Sequence, residues 1–202
     1  MSLKRNLLIP FTKIVAFLTY ILLPVHPVKA TDLKDAETYV YNLSNRIIQV
    51  VDSKARVEEK QKQLLELFEE NASTLTISRA ALGPKWRSLN ESTKKEFTAA
   101  FTHYIIKKYG KQFEDFSGAR LTVERSIDAG KRGILVHTRL IMPATSPISV
   151  KWQVWRKTKK LKLVDIIIED ISMLTMEREE IKNRLAIHKN DIPSLITDLK
   201  RN

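Results

Sequence analysis

The sequence predicts an α+β fold, with helices packed on one face of a curved antiparallel sheet of about four strands. Two observations carry this. Apolar residues recur at spacings of three and four up to about residue 110 and again after 173, whereas between 121 and 169 they alternate. The connections 128–133 and 157–160 are also short and polar, as antiparallel hairpins require. Helices, then a meander, then helices describe a layered α+β domain.

The first thirty residues read as an address. Lys4, Arg5 and Lys13 precede an uncharged apolar run, Ile14 to Leu23, followed by Pro24, Pro27 and Val28-Lys29-Ala30. This is the pattern of a secretory signal peptide cleaved after Ala30, leaving 31–202 as the expected mature domain. The alternative is an uncleaved anchor, but a run of ten is about half the roughly 20 residues that cross a bilayer. The segment holds Lys4, Arg5, Lys13 and Lys29 and no acid, so the net charge of +12 falls to +8 over 31–202. Outside the cytosol, such a charge favours anionic lipid surfaces or acidic proteins over nucleic acid.

In the remaining chain, Leu33, Ala36, Val40, Leu43, Ile47 and Val50 form one face of a helix over 32–52, with Asp32 as its N-cap. A second helix, 54–71, carries Val57, Leu64, Leu65 and Phe68. A third, 77–82, ends at Gly83-Pro84. The fourth begins after Asn90, with Thr93 and Glu96 as a possible capping box and a stripe of Phe97, Phe101, Tyr104 and Ile105. Strands follow on Leu121, Val123 and Ile127; on Ile134, Val136, Leu140 and Met142; and on Ile148, Val150, Trp152 and Val154. The fourth strand, 161–169, is nearly continuously apolar, which predicts burial on both faces. Helices over 174–187 and 192–200 close the chain, the last entered through Asp191 and Pro193.

Catalytic constellations are scarce. The chain has no Cys, which excludes disulfides, thiolate nucleophiles and Cys-ligated metals. Its four His (His26, His103, His137 and His188) lack the helical pairing of a zinc site. Five Gly form no phosphate-binding fingerprint. Asp165, Glu169 and Asp170 are the only clustered acids worth weighing as an acid/base pair. Glu169 and Asp170 should diverge at a corner, and Asp165, within an apolar strand, needs solvent or a partner such as Arg156. The reading is therefore a protein that is not an enzyme and uses no metal or cofactor. Basic residues gather at Arg156, Lys157, Lys159, Lys160 and Lys162 in one hairpin and at Lys107, Lys108 and Lys111 in another patch. Each is either a solvated surface or a docking site for anionic lipid or an acidic partner. The stripe Phe97, Phe101, Tyr104 and Ile105 is expected to face Val136, Leu140, Trp152 and Val154 on the strands. Periodicity leaves open whether the space between is a filled core or a ligand pocket.

Several of these residues carry a resemblance. Leu82-Gly83-x-x-Trp86-Arg87-x-Leu89, then Phe97, Phe101 and Tyr104 to Tyr109, resembles the central helical motif of the toluene-tolerance/MlaC group. Val164-Asp165-Ile-Ile-Ile-Glu169-x-Ile171-Ser172-Met173, followed by Arg178 and the 191–199 helix, resembles its C-terminal signature. The resemblance implies a monomeric periplasmic phospholipid carrier of a Gram-negative bacterium, with acyl tails in an apolar pocket between sheet and helices. Its implied partners are an inner-membrane ABC transporter with an MCE-domain subunit and an outer-membrane lipoprotein–porin complex, and its implied role is maintenance of outer-membrane lipid asymmetry. On that reading Phe101, Tyr104, Ile105, Val136, Leu140, Trp152, Val154 and Ile166 line the tail pocket, and the 156–162 cations guide docking. Three positions depart from the family: Asp170 stands where it usually has Gly, Leu161-Lys162-Leu163 where a Trp is common, and Glu177 where a polar or aromatic residue often precedes Arg178. A hopanoid-like ligand is the nearest alternative. A pocket-free envelope adaptor and a hydrolase of envelope polymers are the others.

Overall fold

The structure, a computed structural model, describes residues 30–110, 112–143, 145–157 and 160–201. The expected export segment thus lies outside the described residues apart from Ala30. The elements run α1 (Ala30–Asp52), α2 (Val57–Asn71), α3 (Thr74–Leu82), α4 (Glu91–Gly110), β1 (Arg120–Asp128), β2 (Ile134–Ile141), β3 (Ile148–Lys157), β4 (Lys160–Ile168), β5 (Ile171–Ser172), α5 (Met173–Ile187) and α6 (Ile192–Arg201). The sheet is antiparallel in the order β1-β2-β3-β4-β5. Its fifth, two-residue strand is too short to leave a periodic trace in the sequence.

Side chains cap the starts of α4, α5 and α6. Asn90 Oδ1 accepts from the Thr93 amide at 2.8 Å and caps α4 itself, so no Thr93–Glu96 box is formed. Ser172 Oγ accepts from Thr175 N at 3.0 Å and caps α5, and Asp191 Oδ2 accepts from Ser194 N at 2.9 Å at the start of α6. Asp32 is not the cap of α1, which starts at Ala30; its carboxylate pairs with Arg156 at 2.9 Å. The junction of α2 and α3 covers the outer edge of β4, where the Ser73 amide donates to Leu163 O at 2.8 Å.

Two bulges break the alternation of the strands. One lies at Val123–Arg125 in β1. Beyond it the faces exchange, so Ser126, rather than the expected Ile127, turns toward α1, where its hydroxyl donates to Glu37 Oε1 at 2.7 Å. Ile127 is exposed. The other bulge, opposite Gln153–Val154, puts both Leu163 and Val164 of β4 in the interior. The expected burial of both faces of β4 is met only there, since Ile166, Ile167 and Ile168 are half-buried. At the β1–β2 turn, Gly133 has φ +85°, and a Cβ there would sit 2.3 Å from Val154 O and from the Trp155 ring. Only glycine fits.

The interior consists of two cores. In one, Ala36, Val40 and Leu43 of α1 pack on Leu121, Ile134, Val136, Val150, Trp152 and Val154 of the sheet. Inside it, Thr138 Oγ1 donates to Val150 O at 2.7 Å and accepts from Trp152 Nε1 at 3.1 Å. The other core is wholly helical. Phe97, Phe101 and Tyr104 of α4 stack in series at centroid distances of 5.7 and 6.4 Å and pack on α3, α5 and α6 through Leu82, Ile181, Leu195 and Leu199. This corrects the sequence expectation. Phe97 and Tyr104 of the α4 stripe face other helices, and it is α1 that covers the first strands, because a stripe has a direction but no named partner.

Candidate functional site

Where the two cores meet they do not close. The space between them is a cavity of about 260 Å³, against the roughly 10–15 Å³ that one water molecule needs. Its floor is the sheet: Leu121, Leu140, Val150, Trp152, Ile166 and Ile168. One wall is the C-terminal half of α1 (Ile47, Ile48, Val51), and another is α4 through Phe101, Ile105, Ile106 and Tyr109. Phe68 of α2, Ile77 of α3 and Leu174 of α5 close the rest. Ile77 touches both cores, so α3 borders each of them. Gln112 and Phe116, in the turn after α4, complete one end; that turn is tied to α1 by Asp52, whose Oδ1 accepts from Ser117 Oγ at 3.0 Å and Gly118 N at 2.9 Å.

Five of the eight residues expected to line a pocket are in this wall: Phe101, Ile105, Leu140, Trp152 and Ile166. The other three are not. Tyr104 belongs to the helical core, where Arg184 stacks over its ring at 4.9 Å. Val136 and Val154 are wholly buried beneath α1. Alternation puts all inward strand residues on one face, but only tertiary packing decides which part of that face a helix fills. Sequence reasoning missed Ile48, Val51, Ile106, Tyr109 and Leu174. A signal existed for the first two: Ile47-Ile48 and Val50-Val51 widen the α1 stripe at its C-terminal end, beyond what one packed neighbour needs.

Polar groups in the wall are few and placed with care. Asp165 Oδ2 accepts from Ser172 Oγ at 2.5 Å and Oδ1 from Leu174 N at 3.0 Å, so its carboxylate holds the start of α5. Its partners are these, not Arg156. Glu169 and Asp170 occupy the β4–β5 turn at φ +45° and +66° and reach back to β3, where Glu169 Oε1 accepts from Ser149 N at 2.5 Å and Lys151 pairs with Asp170. Thus the three acids do not converge. Glu177, 3% exposed, is the remaining charge in the wall. Its Oε1 accepts from Lys108 Nζ at 2.7 Å and from the Tyr109 hydroxyl. Burial alone would lower Lys108, but Glu177 and Tyr104 reverse this and hold its ammonium above the usual lysine range. Burial and the same carboxylate push the Tyr109 phenol up. Among the described residues no three His, Asp or Glu side chains are grouped as a metal site would require.

The basic hairpin lies elsewhere. The β1–β2 and β3–β4 turns share one end of the sheet, while the cavity occupies the middle and the opposite end, from Trp152 to Leu121, Leu140 and Ile168. Arg156 is engaged with Asp32 and Asp35 of α1 at 2.9 and 3.0 Å, and Lys162 donates to Glu70 O. Lys160 is exposed. Lys159, the side chain of Lys157, and Lys111 of the second patch lie outside the described residues. Exposed Lys131 and Arg132, which the sequence did not single out, join this end, and Arg132 O accepts from the Trp155 indole at 2.7 Å.

The MlaC protein family matches residues 41–201. The chain belongs to the MlaC family. A solved structure with the same fold is a phospholipid-binding protein from Ralstonia solanacearum in complex with a phospholipid, at TM-score 0.72 and 11% identity, covering 82% of this chain and 95% of that one. No curated protein matches. The motifs that resemble the MlaC family now have structural roles. The 164–173 stretch is the β4–β5–α5 junction just described. In the central motif, Gly83 ends α3 at φ +67° beside the Arg178 guanidinium, and Trp86 packs edge-on to Phe97 at 6.3 Å. Asp170, in the second of these motifs, adopts a left-handed conformation. Among the described residues no helix is long and apolar enough to cross a membrane.

Proposed function

We propose that this protein is a periplasmic phospholipid carrier that holds acyl tails in the cavity between its two cores and leaves the head group near solvent. The observation that carries the reading is that cavity, walled mainly by Ile, Leu, Val, Phe and Trp in a chain of the MlaC family. A largely apolar space of this size is otherwise a defect, since its lining forfeits contact with neighbouring atoms. Tails are stabilised by about 0.8 kcal/mol for each buried methylene, so a lipid held there crosses water without exposing them.

The protein shuttles lipid, on this reading, between an inner-membrane ABC transporter with an MCE-domain subunit and an outer-membrane lipoprotein–porin complex, and so maintains outer-membrane lipid asymmetry. Signal-directed export, with the signal peptide cleaved after Ala30, puts it in the periplasm, and the mature domain is 31–202. It catalyses no reaction; the candidate acids Asp165, Glu169 and Asp170 hold loops and helix ends instead. The cations of the hairpin end guide docking. Phe101, Ile105, Leu140, Trp152 and Ile166 touch the tails.

The test is native mass spectrometry of the protein purified from cells, followed by solvent extraction and lipid identification. A phospholipid adduct at one per chain is expected. A clean apoprotein that also takes up no labelled phospholipid would overturn the proposal and favour a pocket-free envelope adaptor.

A further inference from the structure

Glu177 is unevenly served. Its Oε1 takes two donors, Lys108 Nζ at 2.7 Å and the Tyr109 hydroxyl, whereas Oε2 is buried without a partner among the described residues. Asp165, the other carboxylate of the cavity wall, has both oxygens occupied. A buried acceptor without a donor is destabilising and uncommon in native proteins. The position of this one is informative. Glu177 lines the cavity together with Tyr109 and Gln112; Gln112 is exposed and the Lys108 side chain is 32% exposed. Glu177 is thus buried in a cavity wall that it shares with a solvent-exposed residue, and its ion-pair partner is partly exposed.

A carboxylate oxygen accepts and cannot donate. Ester and phosphate oxygens, which only accept, do not suit it, and an alkyl chain leaves it unserved. An N–H or O–H suits it. Lys108 is already paired with the same carboxylate, so the site has little net charge to attract an anion, and what it lacks is a donor. We propose that Glu177 is a specificity-determining residue whose Oε2 accepts a hydrogen bond from an ammonium or hydroxyl on the polar end of the bound amphiphile. This rests on the carrier reading and adds to it a selection among head groups.

The test uses diacyl phospholipids of identical chains that differ in donors: phosphatidylethanolamine, its N,N-dimethyl derivative, phosphatidylcholine and phosphatidylglycerol. Each competes with a fluorescent lipid for the delipidated protein. The dimethyl lipid keeps one N–H at nearly the bulk of choline, so it is expected to bind like phosphatidylethanolamine. Phosphatidylcholine should be weaker by about tenfold, the size of one hydrogen bond to a charged group. Phosphatidylglycerol separates the sources: equal binding assigns any donor, and weaker binding assigns the ammonium. Glu177→Gln should shrink the ethanolamine–choline difference to about twofold or less. A difference that survives in that variant, a steady loss with each added methyl, or equal binding of all head groups to the wild type would overturn the inference. The wild-type series decides alone if the variant does not fold. Failure to take up any of the four lipids would instead overturn the carrier reading, and this inference with it.

Discussion

Asp165 shows how a carboxylate inside an apolar strand is made tolerable. It gives both oxygens to the first turn of α5, through Ser172 Oγ and Leu174 N, and so fixes the angle at which that helix borders the cavity. Asp165→Ala should lose about 1–3 kcal/mol of stability, read as a lower urea midpoint at an unchanged slope; wild-type stability would remove Asp165 from this role. His137 gives a residue-scale pH dependence. On the outer sheet face its Nε2 is buried without a hydrogen-bond partner among the described residues, and burial, then Arg125 and Lys151, hold it below the usual histidine range against the opposing Glu124 and Asp170. The unfolded chain therefore takes up the proton first. Stability from the neutral imidazole is present above about pH 6.5 and declines as the pH falls below it. Melting temperatures between pH 7.5 and 5 should fall more for the wild type than for His137→Gln, and parallel curves would refute this.

At the scale of elements, the amphipathic stripes were legible and their partners were not. The stripe on α4 is there as read, yet it stacks Phe97, Phe101 and Tyr104 into a helical core, while α1 covers the sheet. The basic hairpin is likewise present, but its cations are not equivalent. Arg156 ties β3 to the start of α1, and Lys162 holds the end of α2. The better docking candidates are Lys160 and its neighbours across the sheet end, Lys131 and Arg132. Reversing these three to Glu should weaken binding to anionic vesicles by more than tenfold at low salt, at about 1 kcal/mol per cation near the surface. An unchanged partition would sink the docking proposal while leaving the cavity untouched, since the two lie at different ends of the sheet.

Over the whole molecule, the division into two cores makes separable predictions for wall and core. Leu140→Trp fills part of the cavity and should abolish lipid uptake with little loss of fold stability. Val154→Ala, beneath α1, should cost about 2 kcal/mol and leave uptake intact. Paired denaturation and lipid-displacement measurements check both. If Leu140→Trp unfolds the chain or binds lipid as before, the space is not a ligand cavity.

Legible in the sequence alone were the α+β class, the order of the helices and main strands, the entry of the last helix through Asp191, the absence of cysteine chemistry and the family resemblance. Each depends on local spacing, capping chemistry or composition. Tertiary structure alone decided that the strands bulge at Val123–Arg125 and opposite Gln153–Val154, that Tyr104, Val136 and Val154 belong to filled cores, and that Glu177 keeps one bare oxygen at the cavity. The physical reason is that periodicity specifies which face of an element turns away from water. Whether that face meets another side chain or an empty space depends on how rigid helices and a twisted sheet fit together, and that fit is a property of the whole chain.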